Sequence, residues 1–116
     1  MKRMSVMSLG LVSLLVAGNA SANWSTNSVT LTGIEIDSST LTYLSFSATP
    51  TNKPSCTASG QGLINLSASL DSQKAVTSLA TAAFLAGKTV TVHWTGSCSS
   101  SIGGFTYPLI DSLSVT

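Results

Sequence analysis

Residues 71–94, DSQKAVTSLATAAFLAGKTVTVHW, place one helix directly before one strand in a chain otherwise patterned as short strands. Asp71 or Ser72 can cap the start of the helix, and apolar residues then recur at spacings of three and four. Gly87 occupies the position at which a glycine ends a helix. The segment predicts a helix at about 72–86, and one helix among strands leaves few possible folds.

The first predicted strand, at 29–37, has an alternation that shifts by one residue at Thr32-Gly33. The shift separates Val29 and Leu31 from Ile34 and Ile36. A β-bulge at Gly33 would return both pairs to the same core face, because a bulge inserts one extra residue into a strand. Bent strands of this kind suit small closed barrels.

Four further strands complete the pattern. They are predicted at 41–47, 63–70 and 88–94, and in a last segment that begins near Phe105 and ends at Val115. A tight turn at Ser38-Ser39 joins the first two strands, and a segment rich in proline and glycine precedes the third. The order β-β-β-α-β-β, with a bulged first strand, is that of the five-stranded OB-fold barrel. The sequence predicts a mainly β fold of this type with one helix.

The N-terminus has the three parts of a secretory signal peptide. Lys2 and Arg3 are followed by an apolar run at 4–17 and then by an Ala-x-Ala end at Ala22. The run is short for a membrane span, and no cysteine follows it for a lipid anchor. We expect cleavage after residue 22, a single domain at 23–116, and a secreted or periplasmic location without membrane insertion.

Removal of residues 1–22 leaves three lysines, no arginine and four carboxylates, a net charge of −1. Nucleic-acid binding needs clustered cations that displace condensed counterions, and an anionic membrane surface needs a similar cluster. We therefore expect neither partner.

Cys56 and Cys98 are the only cysteines. In an oxidising compartment a lone pair is most simply one disulfide, since neither a CxxC motif nor a cluster of other metal ligands accompanies it. Such a bond would stabilise the fold by about 4 kcal/mol through chain entropy. We expect no metal and no cofactor.

Several short motifs, in order along the chain, resemble those of one protein family. They are Trp24, Thr32-Gly33 followed by Ile-x-Ile, Asn52-Lys53-Pro54 ahead of Cys56, Ala-Gly-Lys-Thr-Val-Thr-Val-His-Trp ending at Trp94, and Thr106-Tyr107-Pro108. With them the sequence resembles the B subunits of pentameric bacterial toxins, most of all those of the subtilase-cytotoxin type and their small exported relatives.

This resemblance implies an OB-fold that assembles into a ring of five, with helices around a central pore and sugars bound on the outer rim. Thr32 matches a strand-one hydroxyl residue that contacts sialic acid, and Trp94 matches an aromatic residue at the end of strand four. Both are bulkier than the residues that they match. The implied partners are a cell-surface glycan, further copies of the chain and a toxin A subunit.

Both of these residues also have a structural interpretation. Trp94 follows Val90 and Val92 on one face of its strand, so it can plug one end of the barrel instead of contacting a ligand. Thr32 can be a plain strand hydroxyl beside a bulge, although bulges are frequent next to functional sites.

The remaining candidates have simple structural interpretations. His93 has no nucleophile elbow in the sequence to serve, so we interpret it as an exposed strand histidine. Glu35 and Asp37 share a strand face beside a turn and are expected to face solvent. Tyr107-Pro108 is expected to shape a loop.

The second half of the helix, at 82–86, is apolar on nearly all sides, which favours a helix that is covered all round. A partner subunit could cover it, and so could the loop that contains Cys98. With seven charged residues and one histidine after residue 22, the sequence offers no convergent catalytic set. We predict a secreted, non-enzymatic binding module that recognises glycans as a homo-oligomer. A fimbrial or other surface subunit, and a small exported inhibitor, are the alternatives.

Overall fold

The structure, a computed structural model, describes residues 23–37, 41–58 and 60–116. Within them the order is β1 (Val29–Asp37), β2 (Leu41–Phe46), β3 (Gln61–Ile64), α1 (Leu70–Ala86), β4 (Thr89–Cys98) and β5 (Pro108–Val115). The predicted leader at 1–22 and the predicted turn at Ser38-Ser39 lie outside the described residues.

The five strands form one closed sheet with neighbours in the order β1-β2-β3-β5-β4. All pairs are antiparallel except β3 and β5, which run parallel. The seam between β1 and β4 consists of two residue pairs, Val29 with Val90 and Thr30 with Thr89. For the residues that the structure describes, the predictions of a mainly β fold with one helix and of a closed five-stranded sheet are confirmed.

The predicted bulge in β1 is present. Leu31 pairs with Phe46 and Gly33 pairs with Ser45, so Thr32 is the extra residue. Ile34 packs against the core as expected. Ile36 does not, since 63% of it is exposed. It lies near the end of β1, where the sheet faces a surface groove beside the helix instead of the core.

The third strand is shorter than predicted. The alternation at 63–70 is typical of a strand, but β3 ends at Ile64. Asn65 accepts a hydrogen bond from the Ser67 amide (2.9 Å), a local turn that competes with continued pairing. The Gln73 side chain then donates to the Ala68 carbonyl (2.9 Å) and holds the connection against the helix.

The helix begins two residues before its predicted start. Its N-cap is Ser69, whose hydroxyl accepts from the Ser72 amide (3.2 Å), and neither Asp71 nor Ser72 is the cap. The end is as predicted: Gly87 is left-handed (φ 66°), and the Lys88 amide donates to the Ala83 carbonyl (3.0 Å). These bonds form a Schellman motif, which satisfies the last carbonyls of the helix.

The core fills the closed sheet and is capped by the helix. Its buried members are Val29, Leu31, Leu44, Ile64, Ala80, Ala83, Val90, Val92, Trp94, Ile110 and Leu113. The helix contributes two alanines, whose small side chains allow close approach to the strands. Val90, Val92 and Trp94 all point inward, so the predicted alternation of this strand is confirmed, and the strand continues to Cys98.

The apolar end of the helix is exposed. Leu85 is 78% exposed and Phe84 is 38% exposed. The loop that contains Cys98 therefore does not cover them.

The segment before β1 lies alongside β4. The Ser25 amide donates to the Val92 carbonyl (2.8 Å), and the Ser25 hydroxyl accepts from the Val92 amide (2.8 Å). The Trp94 amide donates to the Asn23 carbonyl (2.9 Å). These bonds satisfy backbone groups of β4 where it has left its pairing with β1.

Candidate functional site

Trp94, one of the two residues predicted to bind ligand, is enclosed. Its exposed fraction is 0%, and its ring lies edge-on to Phe46 with centroids 6.3 Å apart. The indole Nε1 donates to the Thr51 carbonyl (3.0 Å), so its one polar group is satisfied. No face of the indole is open to a sugar in this conformation. This position agrees with the second interpretation of Trp94 from the sequence, that it plugs one end of the barrel.

Thr32, the other predicted ligand contact, is exposed at the bulge of β1. Since Trp94 is enclosed in the sheet and Thr32 is on its surface, the two do not form a common surface. A direct ligand contact at Thr32 stays a prediction.

A groove elsewhere has the features of a binding site. We call it the outer groove: it lies between the outward face of β1, β2 and β3 and the loop from β4 to β5, and its volume is about 320 Å³. Its lining includes Glu35, Asp37, Tyr43, Gln61, Phe105 and Tyr107. A second cavity of about 280 Å³ shares the last three of these and extends toward Thr57 and Ala58.

Strand pairing brings the floor of the outer groove together. Glu35 pairs with Tyr43 across β1 and β2, and Ser45 pairs with Gln61 across β2 and β3. Successive side chains of a strand point to opposite faces. Because Leu44 is in the core, Tyr43 points outward, as does its partner Glu35.

The β4–β5 loop that forms the wall is tied down at its base. Cys98, the last residue of β4, is bonded to Cys56, so the predicted disulfide is confirmed. Thr57 and Thr106 each accept from the other's amide through their hydroxyls (3.0 and 2.7 Å). The Tyr107 carbonyl accepts from the Ser99 amide (2.8 Å).

The tip of this loop is a tight hairpin. The Ile102 amide donates to the Phe105 carbonyl (2.8 Å), and the two residues between them, Gly103 and Gly104, have φ of 61° and 89°. A two-residue turn with positive φ at both positions strongly favours glycine. The turn places Phe105, 51% exposed, at the rim of the groove.

Tyr43 is the most unusual side chain of the groove. It is 6% exposed and lies edge-on to Tyr107, with ring centroids 5.0 Å apart. Tyr43 lines the open groove, and among the described residues its hydroxyl makes no protein hydrogen bond. Burial raises the pKa of Tyr43 above its usual value of 10.0, and Tyr107, Asp37 and Glu35 add to the rise. The groove therefore holds a neutral hydroxyl that is not hydrogen-bonded to any described residue.

The sequence analysis did not identify the groove. Its prediction that Glu35 and Asp37 face solvent is confirmed, since both are exposed on β1, but it gave neither them nor Tyr107 a place in a binding site. The alternation of β1 predicts that both carboxylates point away from the core. The Phe-x-Tyr sequence after Gly-Gly, in the loop before β5, was a second signal. The sequence does not predict the register of the β1–β2 pairing, which places Glu35 beside Tyr43.

A smaller polar cluster lies on the outward face of β4 and β5. His93 Nδ1 is 3.7 Å from Asp111 Oδ2, and the Trp24 and His93 rings are 4.9 Å apart. Asn65 also donates to Asp111 (3.2 Å). The prediction of an exposed strand histidine is therefore only partly right: His93 is on the outward face, but these contacts leave its side chain 22% exposed.

In the described part of the chain, no group of three His, Cys, Asp or Glu side chains is placed to hold a metal ion. The helix of that part is too short or too polar to cross a membrane.

In comparisons with family models, with curated proteins and with solved structures, nothing matches the chain. The assignment of a function therefore depends on the residues themselves.

Proposed function

We propose that this protein is an exported, non-enzymatic binding module with an OB-fold, and that it recognises a glycan in the outer groove. The observation on which the proposal rests is the Tyr43 hydroxyl, which makes no hydrogen bond to a described residue and lies in a groove lined by aromatic rings and carboxylates.

The arrangement of strands supports the OB-fold. An OB-fold is a five-stranded Greek-key barrel that binds its ligands, oligosaccharides among them, on strands two and three and on the loops after strands one and four. Here the helix lies between β3 and β4, β1 is bulged, and the outer groove lies on β2 and β3 below the β4–β5 loop. The groove thus lies where this fold would place a ligand.

The chemistry of the groove suits a sugar. Carboxylates accept hydrogen bonds from hydroxyls, and an amide such as that of Gln61 can both donate and accept. Aromatic side chains such as Tyr107 and Phe105 offer an apolar surface to the C–H face of a sugar ring. Binding sites generally combine an apolar lining with a few such polar groups.

The same geometry argues against glycoside hydrolysis. Enzymes of that class place two carboxyl groups on either side of the scissile bond. Glu35 and Asp37 are two residues apart on one strand, so both approach a ligand from the same side. The closed sheet likewise argues against a fimbrial subunit, which would need an open groove for a donated strand.

The exposed end of the helix supports a homo-oligomer. Phe84, Leu85 and Leu79 are large apolar residues with exposed fractions of 38%, 78% and 39%. We propose that a second copy of the chain covers them, as the toxin B-subunit resemblance implies. Light scattering should give an assembly for the wild type and a folded monomer for Phe84→Asp. A wild-type monomer would contradict this part of the proposal. A gene for a toxin A subunit beside this gene would identify the remaining implied partner.

Glycan binding can be tested on a broad glycan array. The full chain, expressed with its own leader and purified after export, should bind at least one glycan, and Tyr107→Ala should lose that signal. Ser97→Ala, an exposed change on β4 outside the groove lining, is the control and should bind normally. A wild-type protein that binds nothing on the array, or a Tyr107→Ala variant that binds normally, would contradict the proposal.

A further inference from the structure

Among the described residues, the charged side chains that line the outer groove are all of one sign. Glu35 and Asp37 line it, whereas no lysine is among the described residues of its lining. Lys53 lines a separate cavity near Pro50, and Lys74 lines the groove beside the helix. The remaining lysine, Lys88, follows the end of the helix.

The ionised groups of the groove are acceptors only. An ionised carboxylate cannot donate, so Glu35 needs a donor from the ligand. The Gln61 amide nitrogen donates to the Ser45 hydroxyl (3.3 Å), which leaves its second N–H and its oxygen for the ligand, and the Tyr43 and Tyr107 hydroxyls can each donate or accept. A hydroxyl-rich ligand without negative charge satisfies such a set.

We infer that the outer groove binds uncharged sugars and rejects sugars that carry a carboxylate or a sulfate. This inference rests on the proposed function and specifies its ligand class. An anionic group near Glu35 would meet like-charge repulsion, with no lysine among the described lining residues to offset it. The pKa of Tyr43 is raised mainly by burial, and the negative charges of Asp37 and Glu35 add to the rise at the floor of the groove.

The inference departs from what the toxin resemblance implies. That resemblance predicts a sialic acid contact at Thr32, which is exposed on β1 and is not among the groove residues used here. If the outer groove is the binding site, this chain differs from that family in sugar class.

The test uses matched glycans that differ only by a terminal sialic acid, titrated against the exported full chain. The wild type should bind the uncharged glycan at least about tenfold more tightly than its sialylated form. Glu35→Gln keeps the shape of the side chain and removes its charge, so it should shrink this ratio. Asp71→Asn removes one carboxylate from the first turn of the helix, changes the net charge equally, and should leave the ratio unchanged.

The possible results distinguish failure of the sugar-class inference from failure of the proposed function. Tighter binding of the sialylated glycan, lost in Tyr107→Ala, would overturn the inference and leave glycan binding in the groove intact. An equal ratio in the wild type and Glu35→Gln would also overturn it, because the charge would then have no role. Absence of binding to both glycans and to a broad array would overturn the proposed function itself.

Discussion

The aromatic residues at Trp94 and in the outer groove differ in how their polar groups are satisfied, and this difference distinguishes a structural role from a role in recognition. Trp94 is fully enclosed, packs against Phe46, and donates its only polar hydrogen to Thr51. Tyr43 is nearly as buried, but its hydroxyl has no protein partner within the described residues, and its neighbour Tyr107 borders an open groove. Burial alone does not distinguish the two. The difference is that one polar group is satisfied by the protein and the other is available to a ligand.

The largest expected effect is on stability at the enclosed region. Trp94→Ala should lower the free energy of unfolding by about 3–5 kcal/mol, because it removes the largest side chain of the core. Urea denaturation monitored by far-UV circular dichroism measures this. Trp94→Phe, which keeps much of the packing but loses the bond to Thr51, should cost less. If Trp94→Ala has nearly normal stability but no longer binds glycan, Trp94 is a recognition residue and the account of the two regions is wrong.

The disulfide connects the end of β4, at the base of the groove wall, to Cys56 in the connection between β2 and β3, so its loss should affect both stability and binding. Cys56→Ser/Cys98→Ser should lose about 2–5 kcal/mol of stability, since the bond closes a separation of 42 residues. Glycan binding should also weaken below the melting temperature, because the base of the loop is no longer fixed. Thermal melts and titrations of the same sample separate the two effects. If the double variant keeps its full affinity for the glycan, the hydrogen bonds between Thr57 and Thr106 are sufficient to hold the loop in place.

At the groove the expected pattern is the opposite of that at Trp94. Tyr107→Ala should weaken glycan binding about tenfold or more, equivalent to at least about 1.4 kcal/mol, while the melting temperature changes little. Isothermal titration on the glycan found by the array gives the affinity. Phe105→Ala, at the rim, should have a smaller effect in the same direction. A larger loss for Phe105 than for Tyr107 would move the ligand toward the hairpin tip.

The smallest effect concerns the protonation of Tyr43. Its pKa is higher in the folded protein than the usual 10.0, mainly because of burial, so the folded state holds its proton more tightly than the unfolded state. The contribution of Tyr43 to the free energy of unfolding is therefore fully present below about pH 10, and it is lost as the pH rises through the pKa of the folded state. Tyr43→Phe should lose this alkaline dependence in denaturation series across that range. An unchanged slope in the variant would assign the dependence to another group.

The sequence predicts most of the fold because its signals are local. The alternation of Val90, Val92 and Trp94, the glycine that ends the helix and the parity shift at Gly33 each report backbone geometry within a few residues. The errors have local causes too. The turn at Asn65 ended a strand whose apolar alternation continued, and Ser69 capped the helix ahead of the predicted residues.

The outer groove was not predictable in the same way, because it depends on contacts between distant segments. Glu35 meets Tyr43 through the register of a hairpin, and Tyr107 reaches Tyr43 because the disulfide and the threonine pair hold its loop. The sequence analysis took Trp94 as a ligand contact from its match to an aromatic residue of the toxin B subunits, with a barrel plug as the alternative. Such a match does not reveal whether the indole is enclosed.

The most direct test of the central claim is an amide-shift titration by NMR with the glycan that the array identifies. The account predicts that the amides of Gln61, Phe105 and Tyr107 shift with one common Kd, while the indole N–H of Trp94 and the amide of Thr32 stay in place. Shifts concentrated at Trp94 and Thr32, with the outer groove unaffected, would contradict the account.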